Sequence, residues 1–166
     1  MLNVWIDADA CHAKAEIVRV CKRYGIVPRL VSNKAGAEFA RRRDAESVIV
    51  PGAFDAADNH IIAHLRPGDL VLTGDIPLAA RVLKAGGAAL DFRGRWFTDD
   101  NIGGLLATRD LKRTLRQTGA LSEAAGGPRA PGPAERAALL QQLNNFLDRA
   151  SRAAPRKGDR DTDADR

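Results

Sequence analysis

Residues 4–11 read VWIDADAC, an apolar run that stops at two carboxylates, Asp7 and Asp9, two positions apart. In an extended strand residues i and i+2 share a face, so the spacing predicts that both carboxylates project together where the strand leaves the core. Like charges that close repel. The pair is comfortable only around a cation, with one carboxylate protonated, or in enough water to screen the charges. Asp is also an ordinary helix cap after a strand, so the pair takes its meaning from the rest of the chain.

Working outward, short aliphatic and β-branched runs alternate with helical patterns. Leu2 to Ile6, Val27 to Ser32, Ser47 to Val50, Leu70 to Thr73 and Ala88 to Leu90 read as strands. The first helix carries Ala13, Ile17, Val20, Cys21 and Tyr24 at helical spacing and ends at Gly25. Asn33 to Arg43 is basic, with a short helical pattern around Glu38 to Arg42. A further helix starts near Asp55 and buries Ala57, Ile61, Ile62 and Leu65, and another runs from Pro77 to Ala85. This alternation predicts an α/β fold with a mostly parallel central sheet and helices on both faces. In such sheets ligands gather outside the carboxyl ends of the strands. Asp7 and Asp9 follow the first strand, Asp55 and Asp58 the third, and Asp75 the fourth, so three strand ends aim acids at one edge.

After Asp91 the pattern changes. Phe92 to Gly103 reads as a loop holding Arg93, Arg95, Trp96, Asp99, Asp100 and Asn101, followed by a helix to about Thr118. On that helix Leu111 and Leu115 share one face, and Arg109, Lys112, Arg113 and Arg116 fall in the opposite arc. Such a stripe is either a solvated face or a track for phosphates. Residues 124–133, AAGGPRAPGP, read as a linker, and Ala134 to Ala150 as a last amphipathic helix through Leu139, Leu140, Leu143, Phe146 and Leu147. Residues 1–150 are expected to form a single domain, and 151–166 a disordered charged tail.

The chain has 166 residues, 45% of them hydrophobic, enough for one packed core. No apolar run approaches the roughly 20 residues that span a bilayer, and no signal peptide is recognisable, which predicts a soluble cytoplasmic protein. The net charge of +5 favours an anionic partner such as nucleic acid. Cys11 and Cys21 show no metal or redox spacing. Neither a dinucleotide fingerprint nor a P-loop is present. His60 and His64 lie four apart, but Ile61 stands where a metalloprotease base requires Glu.

Clustered Asp residues are hard oxygen ligands suited to Mg²⁺ or Mn²⁺. Asp7, Asp9, Asp58 and Asp75 are therefore the candidate metal ligands and catalytic acids of a site that polarises a phosphodiester and positions water for in-line attack. Lys14, Arg81 and Arg93 are candidates for the flanking phosphates, and Thr73 and Asn101 for orienting a ligated water. Two other readings are open. One is a metal-containing RNA-binding protein without turnover; the other is a haloacid-dehalogenase-type phosphatase with Asp7 as nucleophile and Thr73 at a later strand end.

Several motifs agree in order with one family. IDADAC near the start, then FDAADNHI, GDLVLTGDIPLAARVL, LDFRGRWFTDDNI and a Gly-Gly-Pro before the last helix resemble the YaiI/YqxD family of bacterial proteins over roughly Leu2 to Leu147. The family resembles PIN-like nuclease domains. The resemblance implies a PIN-like three-layer domain and a metal-dependent nuclease acting on RNA, with Asp7, Asp9, Asp58 and Asp75 as its acids. Family members carry Pro after the cysteine; His12 here alters the first helix start without touching the acids.

Overall fold

The computed structural model describes residues 1–33, 43–121 and 129–153. The helical pattern expected around Glu38 to Arg42, residues 124–128 of the expected linker and residues 154–166 of the tail lie outside the described residues.

Six strands form one sheet: β1 (Val4–Asp7), β2 (Arg29–Ser32), β3 (Glu46–Ile49), β4 (Leu70–Leu72), β5 (Ala88–Leu90) and β6 (Trp96–Phe97). Their order is β3-β2-β1-β4-β5-β6. The first four pairings are parallel, and the short β6 runs antiparallel to β5. The helices are α1 (Lys14–Arg23), α2 (Ala56–His64), α3 (Ile76–Lys84), α4 (Asp99–Gln117) and α5 (Pro133–Ala153). The expected α/β class, with a mostly parallel sheet and helices on both faces, is the observed one.

Strand alternation divides the core in two. Val4, Ile6, Leu30, Leu70, Leu72 and Leu90 face α1 and α5, where Ile17, Val20, Leu139, Leu143 and Leu147 meet them. Trp5, Val31, Val71 and Ala89 face the other way, onto Ile61 of α2, Leu78 and Val82 of α3, and Ile102 and Leu105 of α4. Burying each such aliphatic side chain contributes about 1.5–3 kcal/mol, so both helix layers are needed to cover the sheet.

Three boundaries differ from expectation for identifiable reasons. Phe92 to Gly103 is not a continuous loop. Asp91 accepts the backbone N–H groups of Arg93 and Arg95 (both 2.8 Å), which turns the chain back into β6. Thr98 and Asn101 then form a reciprocal capping box that starts α4 at Asp99 in spite of Gly103 and Gly104. At the other end of the chain, α5 continues through Ala153, so residues 151–153 are helical rather than tail. The leucine face expected on α4 is not a core face either. None of its residues is buried, Leu111 is 59% exposed, and the helix docks through Ile102 and Leu105 near its start.

At the amino edge of the sheet, Asp69 is 2% exposed and fully supplied with donors. Its carboxylate accepts from Asn3 N–H (2.9 Å), Asn3 Nδ2 (3.1 Å), Trp5 Nε1 (3.3 Å) and Arg66 N–H (3.0 Å). A buried carboxylate is tolerable only when so bonded. Among the described residues no helix is long and apolar enough to cross a membrane.

Replacing Asp69 with Ala leaves these donors without a partner and should lower unfolding stability by about 3 kcal/mol, measured by urea titration. Asp69→Asn, which keeps an acceptor, should cost less.

Candidate active site at the carboxyl edge of the sheet

In the order β3-β2-β1-β4-β5, the chain winds outward from β1 in one direction and then crosses to β4 on its other side. The reversal falls between β1 and β4, the position where doubly wound sheets open a crevice. Ile6 pairs with Leu30 and Leu72, and Asp7 pairs with Val31, so Asp7 ends β1 level with the end of β4.

Thr73 is fully buried there. Its Oγ1 donates to Asp7 Oδ2 (2.9 Å) and accepts the Asp75 N–H (3.0 Å). Thr73 therefore orients Asp7 and the turn after β4 and does not itself line the cleft. Asp75 is the N-cap of α3, and its Oδ1 accepts Leu78 N–H (2.9 Å) with Pro77 in the first turn. Asp58 lies in the first turn of α2 and makes no hydrogen bond or ion pair with a described residue.

Electrostatics shows the acids acting on one another. Burial raises the Asp7 carboxyl, Thr73 opposes that, and repulsion from Asp75 and then Asp9 adds to it. Asp58 is pushed up to about 6, chiefly by burial, then by the charges of Asp75 and Asp7, with Arg81 opposing. Asp7, Asp58 and Asp75 thus share one field.

Asp9 departs from the expected arrangement. The strand ends at Asp7, and Ala8–Ala10 form a single 3-10 turn, so the i, i+2 rule for extended chain stops applying. The turn swings the Asp9 side chain to β2, where it accepts from Ser32 Oγ and from Asn33 N–H (3.0 Å). It still lines the same cleft.

That cleft has a volume of about 1290 Å³ and is lined by Asp7, Asp9, Asp58 and Asp75 together with several cations. It is larger than the roughly 300–1,000 Å³ typical of small-molecule sites. Arg109, Lys112 and Arg116 of α4 line it at helical spacing; Arg113 does not. Arg95 and Arg129, not singled out from the sequence, line it too.

The other expected phosphate ligands are placed differently. Arg93 reaches the cleft but is committed: its guanidinium pairs with Glu135 (2.8 Å) and donates to the Arg129 carbonyl. Gly132 N–H, Arg129 and Arg93 together hold the Glu135 carboxyl down at about 2. Arg81 donates to Asn59 Oδ1 (3.0 Å). Neither Arg81 nor Lys14, the first residue of α1, lines the cleft. Asn101 borders the cleft, but its side chain is occupied by capping, accepting from Thr98 N–H and donating to the Trp96 carbonyl (both 2.9 Å).

Among the described residues no three His, Cys, Asp or Glu side chains already converge as a ready-made metal-ligating group. The donors nevertheless suit a hydrated hard cation. One oxygen of Asp7 and one of Asp75 are held by Thr73 and Leu78, and the second oxygen of each, like both of Asp58, has no hydrogen bond among the described residues. Mg²⁺ keeps several waters and takes only one or two carboxylates directly, so this set fits it better than it would a closed cage.

Comparison with known proteins gives a consistent family match. The model described as "Uncharacterized BCR, YaiI/YqxD family" matches residues 5–149. A UPF0178 protein of Caulobacter sp. (strain K31) is 45% identical over 152 residues, 92% of this chain and 98% of that protein. One from Parvibaculum lavamentivorans is 42% identical over 155 residues, 93% and 99% of the two chains. One from Rhodospirillum rubrum is 40% identical over 151 residues, 91% and 99%. No solved structure matches the chain.

The raised Asp58 pKa fixes the sign of a pH effect. With a folded value of about 6 against an ordinary 3.8, the folded state holds this proton more tightly than the unfolded chain. The resulting stability is complete below 3.8 and is lost as pH rises to about 6. Asp58→Asn should flatten that part of the melting-temperature profile between pH 4 and 7 and leave the protein at neutral pH more stable than the parent, as read by thermal melts across a buffer series.

Proposed function

From the premise that the chain belongs to the YaiI/YqxD family, shown by a match over residues 5–149, we propose that it hydrolyses phosphodiester bonds of RNA with the help of Mg²⁺ or Mn²⁺. The PIN-like kinship implied by its motifs, and action in the cytoplasm, are parts of the same proposal. One observation carries it: Asp7, Asp58 and Asp75 act on one another's charge at the reversal point of the sheet, in a cleft that Arg109, Lys112 and Arg116 also line. Acids alone would repel a polyanion. Cations alone would bind it without chemistry. Both signs in one oversized cleft suit a polymer whose phosphates are gripped on one side and attacked on the other.

Asp7 and Asp75 are the residues that would hold the cation, since each keeps one oxygen fixed by the fold and one directed elsewhere. A bound Mg²⁺ or Mn²⁺ supplies polarisation of the phosphoryl oxygen and a more acidic water. Thr73 keeps the Asp7 carboxylate from rotating. Asp58, with its pKa at about 6, is ionised at neutral pH yet basic enough to take a proton from the attacking water. Arg109, Lys112 and Arg116 engage flanking phosphates as point contacts along α4.

Asp7→Asn and Asp75→Asn preserve the Thr73 contact and the α3 cap, because Asn also accepts there. Each should abolish the Mn²⁺-induced rise in melting temperature and lower cleavage of a labelled RNA by about 100-fold or more, while the metal-free protein melts no lower than the parent. EDTA and a DNA of the same sequence are the controls. Release of phosphate from a small ester without RNA cleavage would place the chemistry in a phosphatase instead, and RNA binding without turnover would leave a binding protein.

Replacing Arg109, Lys112 and Arg116 together with Gln should weaken RNA binding for several sequences alike. It should also reduce the slope of log affinity against log salt by about 2, at roughly 0.7 per lost contact with a single strand. Arg113→Gln, off the cleft, should change the slope little.

A further inference from the structure

Phe54 lies in the loop between β3 and α2 and lines the cleft, yet the residue is 95% exposed. Phe92 and Phe97, which line the same cleft, are only 7% and 8% exposed and belong to the core. Trp96 is likewise committed, donating through Nε1 to Gln142 Oε1 (3.0 Å) and packing on Phe146. The Phe54 ring contributes nothing comparable to the fold.

Its backbone, by contrast, is fixed, and the fixing residue belongs to the acidic rim. Asn33 donates through Nδ2 to the Phe54 carbonyl (3.0 Å) and through its own N–H to Asp9 Oδ2 (3.0 Å). Its Oδ1 accepts Ala57 N–H (3.1 Å), supplying the cap that Asp55, the N-cap of α2, does not make. One residue therefore ties together Asp9, through its backbone, and the Phe54 loop and the helix that carries Asp58, through its side chain. A hydrated aromatic ring held in register with two acids of the cleft is suited to a flat, apolar ligand face. Nucleobases offer that face in any sequence, and they offer it when unpaired, since a duplex keeps its bases stacked on each other.

We propose that Phe54 is a base-stacking positioning residue: it takes an unpaired nucleobase beside the phosphodiester that the acids address, while Arg109, Lys112 and Arg116 hold neighbouring phosphates. This rests on the nucleic-acid reading of the cleft given above. It adds a requirement for single-stranded substrate that charge alone would not impose.

The test uses the full chain in EDTA, titrated with a single-stranded RNA carrying a fluorescent purine analogue whose emission is quenched by stacking. A duplex of the same sequence is the comparison. The wild type should bind the single strand and quench it, and should bind the duplex more weakly. Phe54→Ala should weaken single-strand binding about tenfold and remove the quench, with Phe54→Leu behaving alike and Phe54→Trp restoring both. All three should melt with the parent, because the ring is outside the core. If Phe54→Ala binds within about twofold of the wild type and still quenches, the stacking role is overturned while the nucleic-acid reading stands. A wild type with no affinity for the single strand overturns both. Binding and quenching without any Mn²⁺-dependent cleavage supports the stacking role and overturns the hydrolase.

Discussion

The hydrogen-bonded register of β1 between β2 and β4 is the constraint on which the other features depend. Ile6 opposite Leu30 and Leu72 points one set of side chains at α1 and α5 and sends Trp5 to the opposite layer. The same register brings Asp7 level with Thr73, and through Thr73 with Asp75. A slip of one residue would exchange the two faces of the strand, burying Trp5 where Ile6 now packs and turning Asp7 away from its partner. Core and cleft are thus specified by one pairing. Asp69 holds it from the other end, receiving Asn3 and Trp5 at the start of β1 and standing immediately before β4.

Two carboxylates at opposite edges of the sheet are treated in opposite ways. Asp69 is surrounded by donors, so its charge is compensated and its role is structural. Asp58 is partly buried with no hydrogen-bond partner among the described residues, in the field of two like charges. Donors saturate the carboxylate at the amino edge, whereas the acids at the carboxyl edge keep fewer donors and repel one another, which concentrates negative charge along the cleft. Arg109, Lys112 and Arg116, which also line the cleft, belong to a helix that is itself hardly buried.

Much of the architecture was legible because strands and helices here are bounded by strong local signals. Pro51-Gly52, Pro67-Gly68 and Gly86-Gly87 punctuate the apolar runs, and the elements between them fall where periodicity puts them. The two-residue β6 has no such signal, and the glycines of α4 concealed a helix start that Thr98 and Asn101 mark. Within the cleft, residue type was readable but partnership was not. Arg93 looks like any other arginine until a glutamate 42 positions later claims it. Asp9 was expected to follow strand geometry, and a three-residue turn changed its direction. Phe54 looks like part of a core in one dimension; only its exposure distinguishes it. Local sequence carries propensity, whereas these assignments depend on contacts between distant segments.

The docking of α5 also bears on the order in which the molecule is made. Leu139, Leu143 and Leu147 cover the apolar side of α1, Arg93 closes onto Glu135, and the turn at Gly94 admits no side chain because a Cβ there would lie 2.6 Å from the backbone of Ala138. Every other described element leaves the ribosome before this helix. Until it emerges, the nascent chain carries a bare hydrophobic groove over Ile17 and Val20, an invitation to chaperones and proteases. The cleft wall formed by Arg129 to Pro131 is missing over the same interval. Assembly of the cleft is therefore coupled to the docking of α5, the last of the described elements to be synthesised, so core and cleft wall are completed in one step.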